Sequence, residues 1–376
     1  MGGGALTATD RPVTVLGLMS GTSMDGVDAC LARIALSGRS FQFEILDCAI
    51  FPFEPPIRTA INDGLTGSVD DLAALHFQLG RTYADVADRF LSGRAVDLVG
   101  CHGQTVAHRD GKCTLQLGSP APLARELRVP VVSGFREADV AAGGNGAPLM
   151  PFLDWLLSRD RPGGVVTLNL GGMANITAIP PDGDRDRVVG FDTGPGMGLI
   201  DEAAGLLFDS PMDRDGRYSR EGTVQPQILA QLMTHPFIRR QPPKSTGRDE
   251  FGRALVEALV AEHKAAPADL LRTLVAFTAK SVAFAIGEMV KFEQPPDGLI
   301  ASGGGVHHPL VRADLQAELP GWQVVDSQEL GIDPDHKESL LMAVLAVAHI
   351  QGLPGNFPGV TGAGKPVVLG NLTPVP

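Results

Sequence analysis

The sequence predicts an α/β protein built from two related domains. Strand-like and helix-like runs alternate along the 376 residues, which is the pattern of α/β layers. A strand, a glycine-bounded loop and a second strand open each half: Val13–Met19 and Val27–Ile34 in the first, Val165–Leu170 and Ile176–Ile179 in the second. The repeat is weak, but the chain is long enough for two domains with their own cores.

The remaining elements follow from hydrophobic spacing and from the positions of glycine and proline. The first half adds a helix over Ser68–Ser92, a buried strand over Val96–Gly100 and a helix over Pro148–Leu157. For the second half we expect a strand over Gly298–Ala301 and helices over Leu199–Leu207, Leu255–His263, Leu270–Phe292 and Glu338–Ile350.

Glycine and proline concentrate between Pro130 and Pro151, so the domain boundary is predicted there. We assign residues 1–135 to an N-terminal domain and residues 136–351 to a C-terminal domain. The tail, about residues 352–376, is expected to pack back on the N-terminal domain.

Composition and charge narrow the class of protein. The formal net charge of -12 argues against nonspecific nucleic-acid binding, because it offers no bulk neutralisation of phosphates. The four cysteines form no CxxC pair, which favours a reducing compartment. Met1–Arg11 lacks an apolar signal region, and no uninterrupted apolar run reaches transmembrane length. We therefore expect a cytoplasmic protein without nucleic-acid or membrane partners.

The segment Gly190–Gly198 is the most informative motif. The segment contains four glycines: a predicted strand ends at Asp192, a glycine-rich loop follows, and a helix begins. Such a loop lets backbone amides approach an anion near a helix N-terminus. A carboxylate beside a phosphate can accept a hydroxyl proton or steer Mg²⁺. The alternative interpretation is a tight turn with Asp192 as a helix cap.

Two further loops are candidates for a nucleotide site. Gly21–Gly26 offers hydroxyl groups, glycines and Asp25, which could hold a metal through water; an ordinary hairpin loop is an equal alternative. Gly303–Gly305 follows a strand and would let an adenine or a ribose lie against bare backbone. By contrast, Lys244–Thr246 is not the end of a Walker A loop, because Pro243 stands where glycine is required.

Polar clusters beside predicted strands suit a sugar, whose hydroxyls need hydrogen bonds. They are His102 with Gln104, Arg136 with Asp139, and the loop Gly143–Pro148. Taken singly, each is better explained as a satisfied polar group that ties loops together. We interpret His307–His308 as structural and Asp213–Gly216 as a solvated turn rather than a cation site.

Taken in order, these segments resemble the anhydro-N-acetylmuramic acid kinases, a family of the actin and hexokinase superfamily. The resemblance runs from Val13 to about Gly370. It implies two actin-like, ribonuclease H-like domains, each a mixed sheet flanked by helices, with a cleft between them. The matching segments are Gly17–Asp28, His102–Thr105, Phe135–Asp139, Ala141–Pro148, Asn169–Asn175, Phe191–Gly196, Asp213–Gly216, Lys244–Arg248, Gly303–Gly305 and Thr361–Ala363.

The resemblance also implies an activity. An ATP-dependent kinase would hydrolytically open 1,6-anhydro-N-acetylmuramic acid and phosphorylate O6, giving N-acetylmuramic acid 6-phosphate and ADP in cell-wall recycling. Asp192 matches the catalytic base, and Mg²⁺ would accompany ATP, with Asp25 as a candidate ligand. The sugar would meet His102, Gln104, Arg136, Asp139, Asn145 and Glu338. ATP would meet Gly21, Thr22, Ser23, Met24, Asp25, Gly26, Val27, Asp28, Gly171, Gly172, Gly194, Gly196, Gly303, Gly304 and Gly305.

Four positions depart from the family pattern and bear on the substrate. Gly134 stands where Asp is usual, Asn145 where Gln is usual, and Met197 and His308 where Asn is usual. The alternatives are a kinase for another 1,6-anhydro sugar such as levoglucosan, a nucleotide-switch ATPase without sugar transfer, and an inactive homologue. The sequence leaves both a monomer and a homodimer open.

Overall fold

The computed structural model describes residues 11–21, 24, 26–37, 40–64, 67–161, 163–294, 296 and 298–376. Contacts between Cα atoms divide the chain into two compact units. Unit 1 comprises Met1–Leu156 together with His336–Pro376, and unit 2 comprises Leu157–Asp335.

The strands vary from 3 to 12 residues, and β-branched residues are frequent in several of them. Within the described ranges they are β1 (Val13–Ser20), β2 (Gly26–Leu36), β3 (Phe41–Pro52), β4 (Leu98–Arg109), β5 (Cys113–Leu117), β6 (Val131–Ser133), β7 (Val165–Leu170), β8 (Met173–Ile179), β9 (Val189–Pro195), β10 (Gly298–Ser302), β11 (Gln323–Asp326) and β12 (Asn371–Thr373).

The helices alternate with these strands, and several begin at a proline, which suits the first turn of a helix. Within the same ranges they are α1 (Pro55–Gly64), α2 (Val69–Leu91), α3 (Pro120–Leu127), α4 (Glu137–Ala141), α5 (Pro151–Ser158), α6 (Met197–Phe208), α7 (Pro226–Leu232), α8 (Pro236–Arg239), α9 (Arg253–Glu262), α10 (Pro267–Met289), α11 (Pro309–Glu318), α12 (Lys337–Ile350) and α13 (Pro358–Thr361).

The two units share one strand topology. In unit 1 the described strands run in the order β12-β6-β4-β1-β2-β3, with β5 paired to β4; in unit 2 the order is β11-β10-β7-β8-β9. In each unit three consecutive strands pair antiparallel, a later strand pairs parallel with the first of them, and a further strand pairs parallel with that later strand. The predicted α/β class, with two related actin-like domains that each contain a mixed sheet, is therefore confirmed.

Helix α12 lies directly on the sheet of unit 1, and two glycines in the strands allow its backbone to approach the sheet closely. A Cβ atom added to Gly17 would come within 1.9 Å of the Ser339 carbonyl oxygen, and one added to Gly100 within 2.1 Å of that of Met342. Any side chain at these strand positions would push the helix away. The contact places the N-terminal turn of α12, which contains Glu338, against β1.

This packing explains why the observed division differs from the predicted boundaries after residues 135 and 351. Residues 136–156 and 336–351 group with unit 1, because α12 packs on β1, β2 and β4. The tail strand β12 pairs with β6 in the same sheet. Hydrophobic spacing reveals that a helix has a buried face but does not reveal which sheet it covers.

Helix α10 of unit 2 is long and apolar enough to cross a membrane, with a mean hydropathy of 1.5 over its most apolar stretch. That stretch is 67% buried within the protein. It contributes Leu271, Leu274 and Phe277 to the core of unit 2, where each is fully buried. The helix therefore has the surroundings of a core helix in a globular domain.

Candidate active site

Asp192 lies inside strand β9 rather than at its end. The prediction that the strand ends there is wrong, because β9 continues to Pro195. Asp192 pairs with Asn175, and the pairing then shifts so that Thr193 forms a bulge. A bulge turns the neighbouring side chains relative to a regular strand, and bulges are frequent beside active sites. The alternative of a helix cap is also excluded, since the N-cap of α6 is Gly196.

The segment Lys244–Thr246 holds Asp192 in place. The Asp192 amide donates to the Lys244 carbonyl oxygen at 3.1 Å, and the Thr246 amide donates to Asp192 Oδ2 at 2.9 Å. Thr246 is itself fixed, because its Oγ1 donates to Glu250 Oε2 at 2.6 Å. Backbone and side chain of Asp192 are therefore both anchored, which gives its carboxylate a defined direction.

Lys244 supports this arrangement from inside unit 2. Its Nζ donates to the carbonyl oxygens of Phe237 and Ile238, each at 3.2 Å, and lies 4.7 Å from the centre of the Phe237 ring. Burial lowers the pKa of Lys244 to about 8; nearby Arg240 lowers it further, and the Asp192 carboxylate acts in the opposite direction. Lys244–Thr246 is therefore an anchor for Asp192, a role that its spacing, which does not fit a Walker A loop, does not predict.

The glycine turns of unit 2 pack on each other. The amides of Gly196 and Gly198 donate to the Gly172 carbonyl oxygen, each at 3.0 Å, and the Met197 amide donates to that of Gly171 at 2.8 Å. A Cβ atom on Gly196 would lie only 2.3 Å from the Gly171 oxygen. These amides of the first turn of α6 are thus already engaged, so this turn is not the open anion cradle expected from the sequence.

Unit 2 contains a cavity of about 440 Å³, within the size range of small-molecule sites. Its lining includes three of the predicted ATP-binding glycines, namely Gly171, Gly304 and Gly305. Gly303 precedes them with φ 82°, a backbone conformation that glycine adopts without strain. The structure therefore brings together, in one unit, two loops that the sequence assigned separately to the nucleotide.

A buried Asp–His pair forms part of this cavity. Asp213 is 2% exposed, so the solvated turn expected at Asp213–Gly216 is wrong for its first residue. His308 Nδ1 accepts from the Val311 amide, and Nε2 lies 3.2 Å from Asp213 Oδ2, so Nε2 donates to it. Burial acts to raise the pKa of Asp213, but the hydrogen bonds from His308, Ser219 and the Tyr218 amide outweigh it and lower the pKa.

Unit 1 contains a buried polar cluster around His102 and Arg136. Arg136 Nε donates to His102 Nε2 at 3.0 Å, and Nη1 donates to the Gly146 carbonyl oxygen at 2.9 Å. His102 Nδ1 in turn donates to the Gly103 carbonyl oxygen at 2.8 Å. Burial and the Arg136 charge lower the pKa of His102 to about 3, so the imidazole is neutral at physiological pH.

Glu338 stands in the first turn of α12, near these groups. The Glu338 side chain is exposed to solvent, although the protein around it partly desolvates the carboxyl group and raises its pKa, while Arg136 and Lys337 act to lower it. Lys337 also forms a buried ion pair, with its Nζ 2.6 Å from Asp154 Oδ1 and only 2% and 3% of the two side chains exposed. The ion pair connects α12 to α5 immediately beside Glu338.

Asp139 lies at the centre of a fully buried hydrogen-bond network. Its Oδ2 accepts from the Gly146 amide at 2.7 Å, and its Oδ1 accepts from Asn356 Nδ2 at 2.6 Å and Thr361 Oγ1 at 2.7 Å. The Asn145 amide donates to the Thr361 carbonyl oxygen at 2.8 Å. These contacts give Asp139 a direct role in holding the loop of Asn145 against the tail. The residue analysis missed Asn356, whose partner is 217 residues away.

Gln104 connects β4 to the start of the predicted phosphate loop. Its Oε1 accepts from Ser20 Oγ at 2.7 Å, and its Nε2 donates to the Gly21 carbonyl oxygen at 3.0 Å. The Met24 amide also donates to the Gly21 carbonyl oxygen. Of the other residues predicted in this loop, Gly26, Val27 and Asp28 begin β2, whereas Thr22, Ser23 and the candidate metal ligand Asp25 lie outside the described residues.

The four departures from the family pattern fall into two groups. Met197 and His308 line the cavity of unit 2, together with the predicted ATP glycines. A Cβ atom on Gly134 would lie 2.8 Å from Asn371 Nδ2, so that position faces the tail strand. Asn145 belongs to the loop held by Asp139. Two of the four departures therefore border the predicted nucleotide site rather than the sugar cluster.

Two solved structures are similar to the chain at low identity. A ROK family glucokinase from Streptomyces griseus, in complex with glucose and AMPPNP, is 14% identical with a TM-score of 0.40, covering 89% of this chain and 99% of that one. An activator of the 2-hydroxyisocaproyl-CoA dehydratase from Clostridium difficile, with bound ADPNP, is 12% identical with a TM-score of 0.43, covering 90% and 96%. These likenesses are too low to bear on the assignments above.

Relatives found by their sequence have a much higher identity to the chain. The family described as anhydro-N-acetylmuramic acid kinase matches residues 13–375. A relative of that name from Salinibacter ruber is 42% identical over 96% of this chain and 96% of its own length. Relatives of the same name from Bacillus cereus and Francisella tularensis are 36% and 34% identical, covering 96% and 95% of this chain and 98% and 97% of theirs. The chain belongs to the anhydro-N-acetylmuramic acid kinase family.

Proposed function

We propose that Asp192 is the catalytic base of an ATP-dependent kinase that opens 1,6-anhydro-N-acetylmuramic acid and phosphorylates its O6. Membership of the family over almost the whole chain makes the protein a kinase that acts on a sugar with ATP. The observation that carries the assignment of the base is the anchoring of Asp192 in a strand bulge by the Thr246 amide. One carboxylate oxygen is held by that amide, which orients the group for proton transfer.

The reaction needs one proton transfer and one phosphoryl transfer. Asp192 takes a proton from water while the water oxygen bonds to C1 and the bond between C1 and O6 breaks. O6 then bonds to the γ-phosphorus, and the bond from that phosphorus to the bridging oxygen of ADP breaks. The products are N-acetylmuramic acid 6-phosphate, ADP and one proton. Positioning and charge stabilisation supply most of the rate in phosphoryl transfer, so an anchored base suits this chemistry.

The sugar-binding proposal rests on the chemistry of the cluster in unit 1. Neutral His102 and the Arg136 guanidinium offer donors and acceptors that are fixed by their neighbours, and the solvent-exposed Glu338 carboxyl group adds a further acceptor beside them. Polar groups held in this way discriminate strongly between sugars, because an analogue that lacks a partner leaves them unpaired. Asp139 and Asn145 support the cluster through their loop, and Gln104 connects it to Gly21.

Mg²⁺ is proposed to enter with ATP. Within the part of the chain that the structure describes, no group of three His, Cys, Asp or Glu side chains could hold a metal ion. Side chains of this kind fit a Mg²⁺ ion that is bound chiefly through nucleotide phosphates and water, with at most one protein carboxylate, such as that of Asp25. The ion would neutralise charge on the β- and γ-phosphates.

We further propose a cytoplasmic location, where ATP is available and the four free cysteines would stay reduced. The partners would be the small molecules ATP and a 1,6-anhydro amino sugar, without nucleic acid or membrane. A homodimer remains an open proposal, to be decided by sedimentation of the purified chain.

Release of ADP tests the function. The purified chain is incubated with Mg-ATP and 1,6-anhydro-N-acetylmuramic acid, with levoglucosan, or with no sugar. We expect turnover with the muramic sugar alone. Turnover only with levoglucosan would keep the kinase but change its substrate. Sugar-independent release, or no release in any arm, would contradict the proposal in favour of a nucleotide switch or an inactive chain.

Replacing Arg136 by Lys is expected to raise KM for the sugar about 10-fold or more. The Arg136 guanidinium donates to His102 and to Gly146 in two directions at once. The ammonium group of a lysine, at the end of a shorter side chain, cannot make both contacts. Steady-state kinetics should show KM for ATP within about 2-fold of the parent value. The matched control is Arg125→Lys, at a side chain that is 76% exposed. An equal rise of both KM values would contradict a sugar-side role.

A further inference from the structure

The cavity of unit 2 contains a carboxylate that the proposed reaction does not use. Asp201 lies in the second turn of α6 and lines the cavity with Met197. Within the described ranges, no amide or side chain donates a hydrogen bond to its carboxylate. Burial raises the pKa of Asp201 to about 6, opposed by Arg248 and His308, so the group is still ionised near pH 7.5.

The other acidic groups of the cavity either already accept hydrogen bonds from the protein or are exposed to solvent. Asp213 is saturated, since His308 and the amides of Tyr218 and Ser219 donate to its two oxygens. Asp215 is exposed to solvent. A partly buried carboxylate without a donor is costly unless a ligand supplies one. Asp201 is therefore the acceptor that a bound molecule would satisfy.

The remaining lining indicates what kind of molecule that would be. Leu170, Met197 and Met212 give the cavity an apolar side, and Gly304 presents bare backbone, with open space where a Cβ atom would stand. A flat heterocyclic base suits such a surface. Asp201, Asp213 and Asp215 disfavour phosphate groups by charge repulsion, and the lining arginine, Arg214, is exposed to solvent, so the cavity fits a nucleoside better than a triphosphate tail.

We propose that this cavity takes the nucleoside half of ATP and that Asp201 accepts hydrogen bonds from the two ribose hydroxyls. The inference rests on the proposed function, because it takes ATP as the nucleotide. It assigns to this position of α6 a role in nucleotide specificity: a ribonucleotide would be selected over its deoxy analogue. A diol facing one carboxylate can donate two charge-assisted hydrogen bonds.

Calorimetric titration without sugar tests this role, with ATP and 2′,3′-dideoxy-ATP at pH 7.5. The parent protein should bind ATP about 10-fold or more tightly than the dideoxy analogue. In Asp201→Ala the two nucleotides should bind equally, near the affinity of the parent for the analogue. The matched control is Asp209→Ala, at the exposed C-terminal end of the same helix, which should keep the parent's preference.

Three outcomes would overturn the inference. Equal binding of both nucleotides by the parent protein would show that the ribose hydroxyls are not recognised, even if the Asp201 variant fails to fold. A preference for ATP that survives in Asp201→Ala would assign the hydroxyls to another group. Failure of the parent to bind ATP at all would also remove the proposed kinase function, whereas the first two outcomes leave it standing.

Discussion

Asp192→Asn is expected to lower kcat by about 10²- to 10⁴-fold, the usual loss when a general base is removed. The amide has the shape of the carboxylate, and its oxygen can still accept from the Thr246 amide, so the local structure should persist. Its oxygen cannot take a proton from water at neutral pH. ATP affinity, measured by calorimetry, should stay within about 2-fold of the parent value.

The control for this variant is Asp249→Asn, which removes an exposed carboxylate that follows the Thr246 anchor in the sequence. It should leave kcat unchanged. Turnover by Asp192→Asn at the parent rate would remove Asp192 from the role of base. A loss of both turnover and ATP binding would instead indicate damage to unit 2.

Lys337→Met is expected to destabilise unit 1 by about 3–5 kcal/mol, because it leaves the Asp154 carboxylate buried without its cation. The chain has two tryptophans, Trp155 in unit 1 and Trp322 in unit 2. Urea unfolding followed by fluorescence in a Trp322→Phe background therefore reports on unit 1. The transition should move to lower urea concentration, by an amount set by the slope of the transition.

Two comparisons sharpen this test. Arg33→Met breaks an exposed pair with Glu44 in the same unit, where the side chains are 50% and 61% exposed, and should cost at most about 1 kcal/mol. Adding Asp154→Leu to Lys337→Met should recover part of the lost stability, because the buried carboxylate that has lost its Lys337 partner is removed. An unchanged transition in the single variant would show that the ion pair is not important for unit 1.

Local sequence patterns were sufficient for much of the fold. The runs at Val13–Met19 and Val165–Leu170 are strands, and Glu338–Ile350 is helical, as their hydrophobic spacing predicted. The unit to which α12 belongs was not predictable in this way. Its place depends on Gly17 and Gly100, which lie more than 200 residues from the helix and admit it by having no side chain.

The candidate site also depends on contacts between residues that are far apart in the sequence. Asp192 was identified from a local motif, and its anchor Thr246 was found only by the fold, since the two residues are 54 positions apart. Asn356 and Thr361 lie 217 and 222 positions from Asp139, and no spacing rule connects such partners. The sequence also does not show which backbone amides already donate a hydrogen bond. The amides of Gly196 to Gly198 are engaged, although they belong to a glycine pattern that is typical of an anion site.

Mass spectrometry of the products formed from 1,6-anhydro-N-acetylmuramic acid and ATP in ¹⁸O-labelled water tests most directly whether the enzyme adds water to C1 as it phosphorylates O6. Attack of water on C1 predicts one ¹⁸O atom in the sugar of the 6-phosphate and none in its phosphoryl group, with ADP formed in equal amount. Incubation of the finished 6-phosphate in the same water corrects for exchange at C1. Label in inorganic phosphate beside an unopened sugar would contradict the proposed reaction, because water would then have attacked ATP.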